Sequence, residues 1–450
     1  ILDNYTEYTW VGLLGMEDPV REGVVESIKV AQRAGIQIKM ITGDYRRTAE
    51  RIATSIGLMQ TDDQSLEGIQ VAQLNDEQLH EQVRHTTVFA RIRPQDKFRI
   101  IKALQANGEV TAMIGDGVND APALKRANIG VAMGITGTDV SKEAAHMILL
   151  DDNFATIVKA VKEGRRIYDN IRRFVRYVLA CNSGEIWTIF LAPFLGLPIP
   201  LLPIHILWIN LVTDGLPGLA LASEPAEPDI MRRPPRPPGE SLFSGGLGAH
   251  VLWVGLLMGG VCLAAQYWGI STGRSHWQTI VFTVLCLSQL GQALAIRSEK
   301  RLLWELGLFT NRPLIYAVGI TIGLQLAVIY TPWLNRLFRT SPLSPAELAL
   351  TLALSSVVFF AVEAEKLARR RGWLDGGAPG ELPRKAGECG LGKIVGAAVA
   401  GAHISEPQRR WIGGLRAYVM RRGEAEHAER QQSGGFLRGL APRRFVEPGL

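Results

Sequence analysis

Cysteine is scarce in this chain of 450 residues, and its four copies are not paired along the sequence. Three of them, Cys181, Cys262 and Cys286, lie in apolar runs, and Cys389 lies in a basic segment. No CxxC or Cys–His cluster occurs, which argues against a disulfide scaffold and against a soft-metal site built from paired cysteines. The chain also lacks a signal peptide and begins without Met, so we expect it to be a fragment of a longer protein.

Charge and apolar residues are distributed unevenly. The net charge is +6, and 47% of residues are hydrophobic. Charges are spread through residues 1–170, residues 171–367 contain six long apolar runs, and residues 368–450 are basic and Gly-rich. We therefore expect a soluble domain, a membrane domain and a tail. The tail is either a disordered extension or a non-native reading-frame product, and its basic strip could touch anionic lipid.

Residues 1–170 alternate short apolar runs with amphipathic segments. The predicted strands are Trp10–Leu14, Ile36–Ile41, Val88–Ala90, Val110–Ile114 and Ile129–Ala132, and the predicted helices are Glu22–Ala34, Arg46–Ile56, Asp96–Gln105 and Ala121–Arg126. This alternation predicts an α/β fold with a parallel sheet covered on both faces. The active-site residues of such folds lie beyond the carboxyl ends of the strands.

Polar clusters follow several of these strands. Thr42-Gly43-Asp44 could hold a phosphoryl oxygen with its hydroxyl and amides, or form an ordinary turn. Lys97 opens a helix, an unfavourable place for a cation unless an anion lies there; the alternative is a solvated lysine. In Gly115-Asp116-Gly117-Val118-Asn119-Asp120, two carboxylates and an amide within one tight turn favour Mg²⁺ together with a substrate phosphate.

The stretch from Arg172 to Ala222 contains two apolar runs of membrane-spanning length joined by a Pro-rich turn. Asn182 and Glu185 share one helix face, and Asn210, Thr213 and Asp214 share another. We expect the first helix to be interrupted at Gly184 and Pro193, and the second at Gly215, Pro217 and Gly218, which would free carbonyl groups near the midplane. These oxygens suit a hard cation such as Ca²⁺; the alternative is a polar helix–helix contact.

Four further runs follow, at about Leu247–Trp268, Trp277–Ile296, Pro313–Tyr330 and Ala346–Leu367. Basic residues concentrate in the loops on the side of the soluble domain, so that domain should be cytosolic and the positive charge needs no nucleic-acid partner. Gln289, in the fourth span, is either a further ligand or a helix-packing amide.

The three clusters and the motif pair NSGE and WINLVTDG resemble P-type cation-transporting ATPases, over about residues 1–371. The soluble part resembles their haloacid dehalogenase-like phosphorylation domain, and the membrane part resembles the last six helices of the calcium-pump-like type II branch. The resemblance implies an aspartyl-phosphate cycle driven by ATP, with Asp116 and Asp120 at Mg²⁺ and Thr42, Gly43, Asp44, Lys97 and Asn119 at the phosphoryl group. It implies transported Ca²⁺ bound by Asn182, Glu185, Asn210, Thr213, Asp214 and Gln289.

This chain departs from the family pattern in what it lacks. It contains neither the DKTGT motif of the phosphorylated aspartate nor the TGE loop, and the family's first four membrane helices have no counterpart in it. We therefore expect the C-terminal half of a multi-pass membrane pump, inactive alone, with membrane lipid and the N-terminal half as partners. A sodium or potassium pump is one alternative, although Asn210 favours calcium. An inactive truncated remnant is another, and a stand-alone phosphatase is an alternative for the soluble part.

Overall fold

The structure is a computed structural model that describes residues 19–60 and 62–373. The predicted strand Trp10–Leu14, the tail from residue 374 and Cys389 lie outside the described residues. The elements of the soluble part are α1 (Val24–Arg33), β1 (Met40–Ile41), α2 (Arg46–Ser55), β2 (Gln64–Glu67), α3 (Gly68–Gln73), α4 (Asp76–His85), β3 (Thr86–Ala90), α5 (Pro94–Ala106), β4 (Ala112–Gly115), a 3₁₀ turn (Val118–Asp120), α6 (Ala121–Arg126), β5 (Ile129–Met133), α7 (Asp139–Ala144) and β6 (Met147–Leu149).

The predicted parallel α/β fold is confirmed, but the described strands form two three-stranded sheets instead of one. Their orders are β1-β3-β2 and β4-β5-β6, and every pairing is parallel. Sequence reasoning missed β2 and β6, as well as α3, α4 and α7. Strand β2 is only four residues long and mixes polar and apolar residues (QSLE), so no apolar run marks it in the sequence.

Strand β3 is the centre of its sheet and is buried on both faces. Val88 and Ala90 pack with Ile28 and Ala53 in one apolar cluster. Phe89, between them, packs with Val83 and Ile100 in a second cluster. Successive side chains of a strand point to opposite faces. A strand covered on both faces therefore reads as a continuous apolar run, and this is why the sequence predicted it.

The membrane part begins within α8 (Phe154–Phe194), a single helix of 41 residues that crosses the predicted domain boundary at residue 170. It is followed by α9 (Pro203–Trp208), a π-helical segment (Ile209–Thr213), α10 (Gly215–Leu221), α11 (Leu247–Ser271), α12 (Trp277–Ala295), α13 (Leu303–Leu306), a 3₁₀ turn (Leu308–Thr310), α14 (Arg312–Tyr330), α15 (Pro332–Phe338) and α16 (Pro345–Arg370). The division into domains at residues 170 and 367 stays a prediction.

Among the described residues, five segments are long and apolar enough to cross a membrane. They are Pro203–Leu221, Leu247–Ser271, Trp277–Ala295, Arg312–Tyr330 and Pro345–Arg370. The first of the six predicted runs is the C-terminal part of α8 and is not among the five. We attribute this to Asn182, Ser183 and Glu185, which make that part of the helix more polar.

The expected interruption of the first membrane helix is wrong. Gly184 and Pro193 both lie inside the continuous helix α8. Gly184 permits close packing, because an added Cβ atom would lie 2.9 Å from Cβ of Met258 on α11. Pro193 is the second-to-last residue of α8. A proline can end a helix, but here only one helical residue follows it. The second helix is interrupted, but by the π-helical segment that precedes Gly215, while Pro217 and Gly218 lie within α10.

Candidate functional site

The first polar cluster, Thr42-Gly43-Asp44, follows β1 and is attached to the end of the neighbouring strand β3. The N–H of Ile92 donates to the carbonyl of Thr42 at 3.0 Å, and the N–H of Arg91 donates to the carbonyl of Asp44 at 2.9 Å. The Thr42 hydroxyl donates to Oδ2 of Asp44 at 2.9 Å. Gly43 and Asp44 are exposed. These contacts, with the N–H of Asp44 donating to Oγ1 of Thr42 at 3.1 Å, therefore fix the loop while Gly43 stays exposed to a ligand.

Lys97 and Asp120 form an ion pair in the second polar cluster. Nζ of Lys97, in the first turn of α5, lies 2.6 Å from Oδ1 of Asp120. Both side chains are largely buried. A lysine at a helix N-terminus is unfavourable on its own, and Asp120 supplies the anion that offsets the helix dipole. The structure thus excludes the solvated-lysine alternative.

The turn after β4 presents Asp116 and Asn119 to solvent and Asp120 to the interior. The carbonyl of Asp116 accepts hydrogen bonds from the N–H of Thr138 at 2.9 Å and the hydroxyl of Ser141 at 3.0 Å. Gly115 is required here, because an added Cβ would lie 2.6 Å from Cβ of Asp120. The backbone of the turn is therefore held firmly while the Asp116 carboxylate stays accessible.

Asp152 supports this turn indirectly, and sequence reasoning missed it. Its carboxylate accepts the N–H groups of Gly134, Ile135 and Thr136 at 2.6, 3.0 and 2.8 Å. Burial on its own would raise the pKa of Asp152, but the hydrogen bonds from Ile135, Thr136 and Gly134 lower it to about 2. The loop so held leads directly to Thr138. The position of Asp152 just after β6, at a strand end, was the signal that could have identified it.

Within the described residues, no hydrogen bond joins Thr42 or Asp44 to Asp116 or Asp120. The structure joins Lys97 to Asp120, which lies in the same turn after β4 as Asp116, and it places Thr42 to Asp44 after β1 of the other sheet. The described residues likewise contain no cluster of three or more His, Cys, Asp or Glu side chains suited to a metal ion. Two carboxylates alone leave room for substrate oxygens in a magnesium shell.

Deep in the membrane part, three helical segments converge on the Glu185 carboxylate. The amide of Asn210, in the π-helical segment, donates to Oε2 at 3.1 Å. The amide of Gln289, on α12, donates to Oε1 at 3.1 Å. Glu185 and Gln289 are buried, and the Oε1 atom of Gln289 has no partner in the described structure. Asn182 does not join this cluster by a hydrogen bond, because its amide donates to the carbonyl of Val178.

The second carboxylate, Asp214, lies at the end of the π-helical segment. The Tyr177 hydroxyl lies 3.3 Å from its Oδ1 atom and 3.1 Å from the carbonyl of Thr213. Its Oδ2 atom is buried without a hydrogen-bond partner in the described structure. The Thr213 hydroxyl lies 3.6 Å from Sγ of Cys286. Sequence reasoning missed Tyr177 and Cys286 because tyrosine and cysteine are ordinary members of apolar runs.

The local backbone explains why Asn210 and Asp214 lie beside Glu185. The N–H of Asp214 donates to the carbonyl of Ile209 at 2.8 Å, five residues earlier. This wider turn is the π-helical form, which occurs mostly as a single turn at functional sites. No lysine or arginine of the described residues pairs with Glu185 or Asp214. Two buried carboxylates without a positive partner are costly at membrane depth unless a cation or protons neutralise them.

Comparison with known proteins identifies both parts of the chain. Residues 2–128 and 98–161 match models for haloacid dehalogenase-like hydrolases. Residues 198–368 match the model for the C-terminus of cation transporting ATPases. A domain of the first kind followed by helices of the second kind is the domain order of P-type cation-transporting ATPases and not that of a stand-alone phosphatase.

Similarity to individual proteins points to one branch of this class. The chain is 45% identical to a calcium-transporting ATPase of Bacillus subtilis over 81% of its length and 41% of that protein. It is 42% identical to human calcium-transporting ATPase type 2C member 1, over 81% of this chain and 40% of that protein. The chain thus spans about two fifths of the length of these relatives. It belongs to the P-type cation-transporting ATPases, in their calcium-pump-like branch, and corresponds to their C-terminal part. It is a multi-pass integral membrane protein whose haloacid dehalogenase-like domain is cytosolic.

Proposed function

We propose that this chain is the C-terminal half of an ATP-driven calcium pump that works through an aspartyl-phosphate cycle. The observation that carries the proposal is the pair of buried carboxylates, Glu185 and Asp214, that have no cationic partner among the described residues. An uncompensated charge at membrane depth costs at least about 2.5–3.5 kcal/mol, so a bound cation stabilises this arrangement. The cation is the cargo of the pump.

The ligands of the cation are the oxygens of Glu185, Asn210, Thr213 and Asp214, with Asn182 and Gln289 completing the shell. Carboxylate, amide and hydroxyl oxygens suit Ca²⁺, which takes six to eight oxygen ligands in flexible geometry. The partnerless atoms, Oδ2 of Asp214 and Oε1 of Gln289, are acceptors of the kind a cation needs. The thiol of Cys286 next to Thr213 is a weaker ligand for a hard ion than these oxygens.

The soluble domain supplies the phosphoryl site. The accessible carboxylate of Asp116 and the Oδ2 atom of Asp120 fit Mg²⁺, because both are hard oxygen donors next to an open turn. Magnesium, when bound, neutralises charge on the transferred phosphoryl group of ATP. Lys97 orients Asp120 and contributes a positive charge. Thr42 and Gly43, with Asp44, hold phosphoryl oxygens, and Asn119 orients the group.

The cation site and the phosphoryl site are connected by α8. This helix begins three residues after Asp151 at the edge of the soluble domain and carries Glu185 deep in the membrane part. Arg165 on α8 donates to the carbonyl of Ala34, at the end of α1, and to the carbonyls of Ile230 and Arg233 in the loop after α10. A shift of the soluble domain therefore acts on both helices that carry the carboxylates.

A chimera tests the proposal. Residues 1–371 replace the matching C-terminal part of the Bacillus subtilis relative, which supplies the remaining segments of a pump. We expect phosphoenzyme from ATP that appears with Ca²⁺ and not with Na⁺ or K⁺ alone. Asp214→Asn should abolish it, and Gln289→Ala should weaken it less, because a neutral amide is a weaker ligand than a carboxylate. Phosphoenzyme that depends on Na⁺ and ignores Ca²⁺, in a folded chimera, would refute calcium as the cargo.

A further inference from the structure

We propose that the cytosolic ends of α11 and α16, together with the middle of α8 around Arg172 and Arg176, form a binding site for the phosphate group of an anionic membrane phospholipid. The site lies apart from both the cation site and the phosphoryl site. Its centre is the N-terminus of α11, where the chain enters the membrane through Gly245 and Gly246. Both glycines have positive φ angles, 69° and 80°. The helix has no side-chain cap, so its first N–H groups remain available to an anion.

Arginines from the two neighbouring helices reach this N-terminus. Nη2 of Arg172, on α8, donates to the carbonyl of Ser244 at 2.9 Å and lies 3.3 Å from where a Cβ of Gly245 would be. Nη2 of Arg369, on α16, lies 3.2 Å from where a Cβ of Gly246 would be. The glycines therefore allow guanidinium groups to approach the helix end closely. Arginine at such positions suits the oxygens of a phosphate.

Buried polar atoms at the same place lack partners within the described structure. They are Nε of Arg172, Nε of Arg176 and Nε2 of His250. The three residues are only 4%, 7% and 2% exposed, so solvent does not satisfy these atoms. Buried polar groups are normally hydrogen-bonded, and several unsatisfied ones around a single helix N-terminus point to a missing ligand.

The charges around the site leave a positive excess. The facing cations are Arg172, Arg176 and Arg369, and the facing carboxylates are Glu299 and Glu365. Lys366 and Glu363 neutralise each other at 2.7 Å, and Nδ1 of His250 lies 2.7 Å from Oε2 of Glu365. Glu240, which accepts from the Ser244 hydroxyl, is paired with Arg236. The three arginines therefore exceed the two carboxylates by at least one positive charge, which suits the single negative charge of a phosphodiester.

The location selects a lipid as the source of that phosphate. The N-terminus of α11 is the start of a membrane span on the cytosolic side, the depth at which headgroups lie. Arg369 keeps 27% of its side chain exposed and so gives access from outside. Basic pockets between membrane helices on this side are known to suit anionic headgroups.

The test titrates the purified 450-residue chain in neutral detergent with phosphatidylglycerol, phosphatidylcholine or inorganic phosphate, and counts bound molecules by native mass spectrometry. We expect one saturable phosphatidylglycerol per chain, at least tenfold tighter than phosphatidylcholine. Arg369→Gln should weaken it at least tenfold. The control Arg371→Gln removes an exposed arginine that stacks on Trp373, and should change it less than twofold. Thermal unfolding in phosphatidylcholine verifies that each variant is folded.

The titration with inorganic phosphate shows whether the bound phosphate group belongs to a lipid or to a soluble ligand. Binding of inorganic phosphate that is lost in Arg369→Gln would support the phosphate site but assign it to a soluble ligand. Equal phosphatidylglycerol affinity in folded Arg369→Gln and Arg371→Gln would overturn the proposal. The proposal would also be overturned if phosphatidylglycerol bound no tighter than phosphatidylcholine and inorganic phosphate did not bind. None of these readouts uses ATP or Ca²⁺, so failure here and failure of the proposed pump function are distinguishable.

Discussion

Substituting Gly255 by Ala should disturb the cation site from a distance, through the packing of α8 on α11. These two helices form the largest helix–helix contact of the described residues. They approach closely because Gly255 and Gly259 lie four residues apart on α11, a spacing typical of tight membrane helix contacts. The neighbours of these glycines on α8 are Ser183 and Trp187, which flank Glu185.

The size of the disturbance follows from the geometry. A Cβ on Gly255 would lie 2.5 Å from Cβ of Ser183 and 3.0 Å from its main-chain carbon. Ordinary contact begins near 3.4 Å, so the helices must separate by roughly 1 Å at a cost of about 1–3 kcal/mol. Glu185 is two residues from Ser183, and its hydrogen bonds to Asn210 and Gln289 are 3.1 Å long. A shift of that size breaks them.

The assay compares Gly255→Ala with Gly260→Ala on the same helix, where an added Cβ meets nothing within 4 Å. In the chimera with the Bacillus subtilis relative, the calcium-free Gly255→Ala variant relieves this strain by separating the helices, and calcium binding must restore the close contact against about 1–3 kcal/mol. Calcium affinity measured by equilibrium binding should therefore fall about 5- to 150-fold, since about 1.4 kcal/mol is tenfold. The control should be unchanged. Equal affinities for the two folded variants would refute the view that the glycine contact positions Glu185.

The remaining predictions concern the soluble domain. The chain alone should form no phosphoenzyme from γ-labelled ATP, because its sequence lacks the DKTGT motif; acid-stable, hydroxylamine-sensitive label would contradict this. In the chimera, Gly115→Ala should reduce the amount of phosphoenzyme because the added Cβ pushes Asp120 away from Lys97. Gly117→Ala should not reduce it, because its added Cβ would make only ordinary contacts at 3.8 Å. Equal effects of the two substitutions would refute the role of Gly115. Asp152→Asn should lower the unfolding temperature of the chain near pH 6. The native pKa of Asp152 is about 2, below its ordinary 3.8. Its stabilising effect is therefore complete above pH 3.8 and is lost as the pH falls toward 2, so the difference between wild type and variant should shrink over that range; a constant difference would contradict the carboxylate's role.

The sequence singles out residues whose type is costly in its setting, and their roles stay predictions. Glu185 and Asp214 stood out because carboxylates are rare in apolar runs, and Lys97 stood out at a helix N-terminus. The buried strand β3 was predicted because both of its faces are covered. These signals are local and need no knowledge of the neighbours.

Sequence reasoning failed where a neighbour decides the role of a residue. Gly184 was expected to break α8, but Met258 on another helix makes it a packing contact. Asp152 and Tyr177 act through partners that are 16 to 37 positions away. The π-helical turn before Gly215 has no distinct residue pattern in the sequence.

The most direct test of the central claim is the number of calcium ions bound per phosphorylation site in the chimera. Two carboxylates neutralise one divalent ion, and Gln289 adds no charge. A second ion would need further acids, since an uncompensated charge costs at least about 2.5–3.5 kcal/mol at this depth. We predict a ratio near one that Asp214→Asn abolishes. A ratio near two that Gln289→Ala reduces to one, or calcium binding unchanged in Asp214→Asn, would contradict the account.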